Sequence, residues 1–283
     1  MFAVLAASGC RLKRNLAVGS KNFTEQVILG EITAQQIERR LDRKVDRTLN
    51  LGGTMVVHAA MIDGAIDVYP EYTSTALYAV LKINMLATSP KEVYERVKEV
   101  YAQNFRFDVL PPLGFNNSFV IGVYQPLADK HKLQTITDAE KVHDTWVLGV
   151  GYEFEQRPDG LPALEAKYDI PTRGAPITMD LGLLYKALEQ RQVNMIAGNT
   201  TDAQIASSPV KLLKDDRSAF GPYEAVLILN RQVAADTPGL KEALLELSGK
   251  ISEDQMRRMN YEVDVKRARV SDVAAAFLRT IKQ

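Results

Sequence analysis

The sequence predicts an α/β fold, and three observations carry that reading. Short apolar and β-branched runs alternate with stretches of helical period from residue 16 onward. Helix-start and chain-break signals separate them, such as Ser89-Pro90-Lys91-Glu92 and Pro111-Pro112-Leu113-Gly114. The length of 283 residues suits two lobes, with 46% hydrophobic and 25% charged residues as in an ordinary globular chain.

Leu16-Ala17-Val18 predicts the first strand. Asn22 offers an N-cap, and Glu25 three residues on completes a capping-box pattern. The helix that follows is expected to run to about Arg40, with Val27, Ile28, Ile32 and Leu41 facing inward. Residues 45–49 read as a second strand. Gly52-Gly53-Thr54 opens a helix that stops at Gly64, and Ile66-Asp67-Val68 reads as a third strand. The order β-α-β-α-β is the signature of a mainly parallel sheet flanked by helices.

Ser89 caps a helix with proline in its first turn, expected to end near Gln103. Residues 107–110 read as a strand, broken by Pro111 and Pro112. Residues 118–124 and 146–150 read as buried strands, 181–190 as a helix and 193–197 as a strand. Gly221-Pro222 is a second break, followed by a strand over 225–229. Three helices are expected near 238–248, 252–261 and 271–281, with Ser252, Gln255 and Ser271 as caps. No internal repeat or low-complexity tract appears.

Composition excludes several classes. Lys+Arg and Asp+Glu balance at 35 each, so no bulk charge attracts nucleic acid or an anionic membrane. No run of eighteen apolar residues is present. Cys10 is the only cysteine, which excludes an internal disulfide framework. His58, His131 and His143 lack metal-ligand spacing, and no nucleophile elbow or phosphate loop appears. Neither catalysis nor a metal or cofactor is expected.

Three segments carry a more specific signal: Ser20-Lys21-Asn22-Phe23-Thr24-Glu25-Gln26, Asn50-Leu51-Gly52-Gly53-Thr54 and Tyr69-Pro70-Glu71-Tyr72-Thr73-Ser74-Thr75. In order and spacing they resemble the substrate-binding proteins of ABC importers for glycine betaine, choline and related quaternary ammonium compounds. The resemblance covers nearly the whole chain. It implies a two-lobe type II periplasmic binding protein fold: residues 16–113 with 224–283 in lobe 1, residues 117–220 in lobe 2, and hinge crossings near 111–117 and 220–224. It also implies a receptor that closes on its ligand and delivers it to a separate permease. Met1 to Ala7 followed by Ser8-Gly9-Cys10 resembles a lipoprotein signal ending at a lipidated cysteine, with an ordinary signal peptide as the other reading over residues 1–10. A monomer at the periplasmic or cell-surface side, touching membrane only through that anchor, is expected.

A zwitterion asks two things of such a site. Its carboxylate wants N–H donors and a forked cation. Lys21 lies just before a helix start, Arg157 follows Gly151-Tyr152-Glu153-Phe154-Glu155-Gln156, and Thr75 adds a hydroxyl. Its methylated ammonium has no N–H and is recognised by aromatic faces. The resemblance places those on Tyr72, Phe119 and Tyr223, with Asn117 as a nearby polar contact. Each of these rings alone is more often core packing. A further cage ring is expected near Asn199 or Thr200 and is absent, which leaves room for a larger betaine such as carnitine or ergothioneine. Glu71 reads as solvent-facing or a structural pair, and Gly52-Gly53-Thr54 as structural near the cleft. A sensing domain that signals to a partner is the alternative from another class.

Overall fold

Two five-stranded sheets divide the chain. The computed structural model describes residues 14–83, 89–142 and 146–281; Cys10, the apolar leader and His143 lie outside them. The strands are β1 (Leu16–Gly19), β2 (Val45–Thr48), β3 (Val68–Tyr72), β4 (Phe107–Val109) and β5 (Phe119–Tyr124). They continue with β6 (Leu148–Gly151), β7 (Ile177–Met179), β8 (Met195–Asn199), β9 (Val210–Leu213) and β10 (Ala225–Asn230). The first sheet has the order β2-β1-β3-β10-β4 and the second β7-β6-β8-β5-β9. Each therefore takes a strand from beyond its own stretch of chain or skips one in sequence, the mark of a crossover fold of two lobes.

In the first sheet β1 runs parallel to β2 and β3, and the returning β10 is antiparallel to β3 and β4. Helices cover both faces. Helix α1 (Thr24–Leu41) packs Ile28, Leu29 and Ile32 on one side with Phe277 and Leu278 of the Val270–Thr280 helix. Helix α2 (Thr54–Ile62) and the Pro90–Asn104 helix bury Val57, Met61, Val97 and Tyr101 on the other. Ser89 caps the latter by accepting from Glu92 N at 3.3 Å. In the second sheet β6 is parallel to β7 and β8, while β5 is antiparallel to β8 and β9.

The chain passes between the sheets from Val109 to Phe119 and returns from Leu213 to Ala225. The two crossings pair with each other. Asn116 bridges to Glu224, and Asn117 N donates to Tyr223 O at 3.0 Å. Residues flanking both crossings, Asn117 and Tyr223, are thus brought side by side from opposite ends of the second lobe.

Several expectations shift. The third strand begins at Val68 and runs to Tyr72, because Asp67 is spent outside it: its carboxylate accepts from Ala17 N at 2.8 Å. Pro70 is tolerated there since pairing with β1 ends at Val68, so its missing N–H breaks no ladder bond. Asn22 is not the cap of α1. Phe23 holds that position without a side-chain bond, and Glu25 turns inward instead of back to the helix start. Ser252 and Gln255 form the expected capping box, but Ser271 falls inside its helix, behind Arg269. The helix expected over 181–190 splits into a single turn, Leu181–Leu183, and Leu184–Glu189. The edge strands β7 and β9 lack a buried apolar run and leave no clear sequence signal.

Candidate functional site

A cavity of about 640 Å³ lies between the lobes. Lys21, Tyr72, Thr75, Asn117, Phe119, Arg157, Asn199 and Tyr223 all line it. The elements explain the convergence. Lys21 ends the turn after β1, Tyr72 closes β3, and Thr75 follows it within one helical turn. Asn117 and Tyr223 belong to the paired crossings, Phe119 opens β5, Asn199 closes β8, and Arg157 ends the short Tyr152–Gln156 helix after β6. Strand ends and crossings meet where the two sheets face each other.

Lys21 and Arg157 already have partners on this wall. The Lys21 ammonium forms a buried ion pair with Glu71, and burial pushes the Glu71 carboxyl up against the pull of that ammonium. Glu71 is thus the structural pair and not a solvent-facing residue. Arg157 forks onto Asp159, with Nε–Oδ1 at 3.0 Å and Nη2–Oδ2 at 2.6 Å, and reaches Glu153 at 3.3 Å. Its guanidinium also lies 5.2 Å from the Phe119 ring centroid and 5.7 Å from that of Tyr223. Lys21 lies 5.3 Å from the Tyr72 centroid.

Glu25 is different. Its carboxylate is buried and accepts from Tyr72 Oη at 2.6 Å, Asn117 Nδ2 at 2.8 Å and Asn260 Nδ2 at 3.0 Å. These partners are all neutral, and among the described residues no ion pair reaches it. Burial pushes its carboxyl up, against hydrogen bonds from Thr201, Tyr72, Asn260 and Asn117. Asp202 joins it on the cavity wall, accepting from Asn199 N at 2.8 Å and Tyr185 Oη at 2.9 Å. Loss of hydration, with Glu25 nearby, pushes Asp202 up to about 6 despite those bonds. Where a further aromatic ring is expected, the turn after β8 supplies Thr201 and Asp202.

Sequence reasoning left out Glu25 as a site residue, because its spacing from Asn22 matched a capping box. It also left out Phe23, Tyr152 and Phe154, which add rings to the wall. Phe23 stacks on Tyr72 at 6.4 Å and 18°. Phe23 lies inside a segment that carried the resemblance, and Tyr152 and Phe154 lie in the run before Arg157, so only their side-chain directions were hidden.

A family model described as the substrate binding domain of an ABC-type glycine betaine transport system, OpuAC, matches residues 14–280. The chain belongs to that family. The substrate-binding domain is 34% identical over 277 residues to the carnitine transport binding protein OpuCC of Listeria monocytogenes, covering 97% of this chain and 89% of that one. It is 31% identical to a glycine-betaine-binding protein of Pseudomonas aeruginosa, covering 98% and 91%. Among solved structures, a glycine betaine/carnitine/choline ABC transporter protein matches with a TM-score of 0.78 at 28% identity, covering 94% and 98%. The substrate-binding domain is therefore an extracytoplasmic solute receptor of an ABC importer and not an enzyme. Such receptors bind small ligands and deliver them to permease subunits. No helix among the described residues is long and apolar enough to cross a membrane.

Proposed function

We propose that this receptor binds a quaternary ammonium compound in the cleft between its lobes and hands it to its permease. The observation that carries the reading is Glu25: a buried carboxylate with neutral partners only, on the wall that also presents Tyr72, Phe119 and Tyr223. A buried charge without a counter-ion is costly, and a bound cation removes that cost. A methylated ammonium suits the surroundings because it needs no N–H acceptor and is drawn to ring faces. Lys21, Thr75, Asn117, Arg157 and Asn199 complete the proposed ligand contacts on the polar side. The relatives named for carnitine and glycine betaine support a ligand of this class. Ala7-Ser8-Gly9-Cys10 supports a lipid anchor at Cys10 for a receptor at the periplasmic or cell-surface side, proposed to work as a monomer.

The test compares choline with its neutral tert-butyl isostere, alongside glycine betaine and carnitine, by thermal shift and calorimetry. A ligand well above its dissociation constant raises the melting temperature. Clear preference for the cation is expected. Equal binding of cation and isostere would mean an apolar pocket and would end the quaternary ammonium reading.

A further inference from the structure

Glu153 belongs to the second lobe but is held by the first. Its Oε1 accepts from Thr54 N at 2.9 Å, at the start of α2, and its Oε2 lies 3.4 Å from the Thr54 hydroxyl. Oε2 also meets Arg157 Nη1 at 3.3 Å. Burial alone would raise this carboxyl, yet the charges of Lys21 and Arg157 and the Thr54 N–H hold it down, at about 2. The lobe-1 side is shaped for it: a Cβ built on Gly53 would stand 2.9 Å from Glu153 Oε1. Its side chain keeps 43% of its surface open, so it sits where the cleft is accessible and is not sealed in.

This is the place a ligand carboxylate would take. It offers a helix start, a lysine and an arginine, the three features that recognise such a group. The protein fills it with its own carboxylate, while Glu71 and Asp159 neutralise the same two cations from behind. Neither Lys21 nor Arg157 is left unpaired for an incoming anion.

Resting on the quaternary ammonium reading, we propose that Glu153 is the specificity-determining residue of this receptor: an interlobe latch that stands in for the ligand carboxylate and selects a plain cation over a zwitterion. A betaine must displace Glu153 from Thr54, opening one of the bridges between the lobes. A choline-like cation leaves that bridge in place and meets Glu25 and Asp202.

The experiment measures choline and glycine betaine binding to wild type, Glu153→Gln and Gly53→Ala by calorimetry. Wild type should prefer choline. Glu153→Gln removes the competing charge, and the ratio of the two affinities should move toward glycine betaine by about tenfold or more. Gly53→Ala crowds Glu153 from the other lobe and should move the ratio the same way. An unchanged ratio, or a ratio that moves toward choline, overturns the proposal. Small-angle scattering of the ligand-free proteins reads the latch separately: Glu153→Ala should have the larger radius of gyration. If neither ligand binds any of the proteins, the quaternary ammonium reading fails and the selectivity proposal fails with it. The scattering comparison would still decide the latch, and equal radii would overturn that as well.

Discussion

Tyr72 donates its hydroxyl to Glu25 Oε1 at 2.6 Å, tying the ring that closes β3 to a carboxylate from the first turn of α1. The bond does two things at once. It fixes the orientation of an aromatic wall, and it gives a buried carboxylate one of its neutral donors. Phe23 stacks on the same ring, so Tyr72 is held from its edge and its face. The site therefore combines a rigid ring with a negative charge that no cation of the described residues offsets.

Tyr72→Phe separates these roles. The ring stays, but Glu25 loses a donor of a kind worth about 1.5–3 kcal/mol to a charged group. Its carboxyl should then rise further, so cation affinity should suffer more at pH 6 than at pH 8. Tyr72→Ala should lose a further cation–π contribution of roughly 0.5–2 kcal/mol at both. Calorimetric titration of the two variants at the two pH values checks this. Identical losses for Phe and Ala would show that the ring face does not meet the ligand.

Acid should weaken cation binding. Asp202 is pushed up to about 6 and Glu25 is raised as well, so both are best charged at neutral pH or above. As pH falls through about 6, Asp202 takes up a proton and the pull on a cation drops. The stability of the free protein should run the other way. A carboxyl raised above its unfolded value of 3.8 favours the fold most at low pH, and that contribution is lost as pH rises through about 6. Asp202→Asn should therefore raise the ligand-free melting temperature at pH 7.5 while weakening the cation, and should change little at pH 4.

Asn260 binds across the cleft. Its Nδ2 donates to Glu25 Oε2 at 3.0 Å and to Thr201 O at 2.9 Å, linking the Glu253–Asp264 helix to the turn after β8. Asn260→Ala should strip both bonds, weaken cation binding by about 3- to 30-fold, and make the ligand-free protein more extended in scattering. Compaction on adding choline should persist, since the hinge is untouched. Wild-type affinity in the variant would show that this bridge plays no part in closure.

Much of the fold was legible because its signals are local. Ser89-Pro90 and Ser252 with Gln255 act within one turn, and the prolines at 111 and 112 mark the first crossing wherever the rest of the chain goes. The site was legible only in part. Tyr72, Phe119 and Tyr223 could be named from their motifs, and they do reach one cavity. What their faces meet depends on residues far away in sequence. Arg157 meets Asp159 and Glu153 within its own loop, and Lys21 meets Glu71 fifty residues on. Glu25 looked like a helix cap because Asn22 stands three residues before it, while its real partners come from positions 72, 117 and 260. A hydrogen bond over such separations has no periodic trace in the chain.

Arg157 gives the sharpest contrast between motif and geometry. The motif predicts a free fork for a ligand carboxylate. In the structure the fork is closed on Asp159, whose Oδ2 is also hydrogen-bonded to the Tyr223 hydroxyl. Both side chains of the pair are almost fully buried, at 10% and 5% exposure. Removing one partner of such a pair leaves the other charge buried and uncompensated, at a cost of about 3–5 kcal/mol. For a chain of this size that corresponds to a fall of roughly 6–20 °C in melting temperature. Arg157→Ala should show that fall, and Arg157→Ala with Asp159→Ala should recover most of it, since no buried charge is then left alone. Thermal unfolding of wild type, the two single variants and the double variant closes the cycle. Binding gives the second reading. If the pair is structural, Arg157→Ala should weaken choline and glycine betaine by similar factors, through the lost support of Phe119 and Tyr223. A variant that keeps its stability and loses glycine betaine alone would instead make Arg157 the carboxylate clamp that the motif predicts.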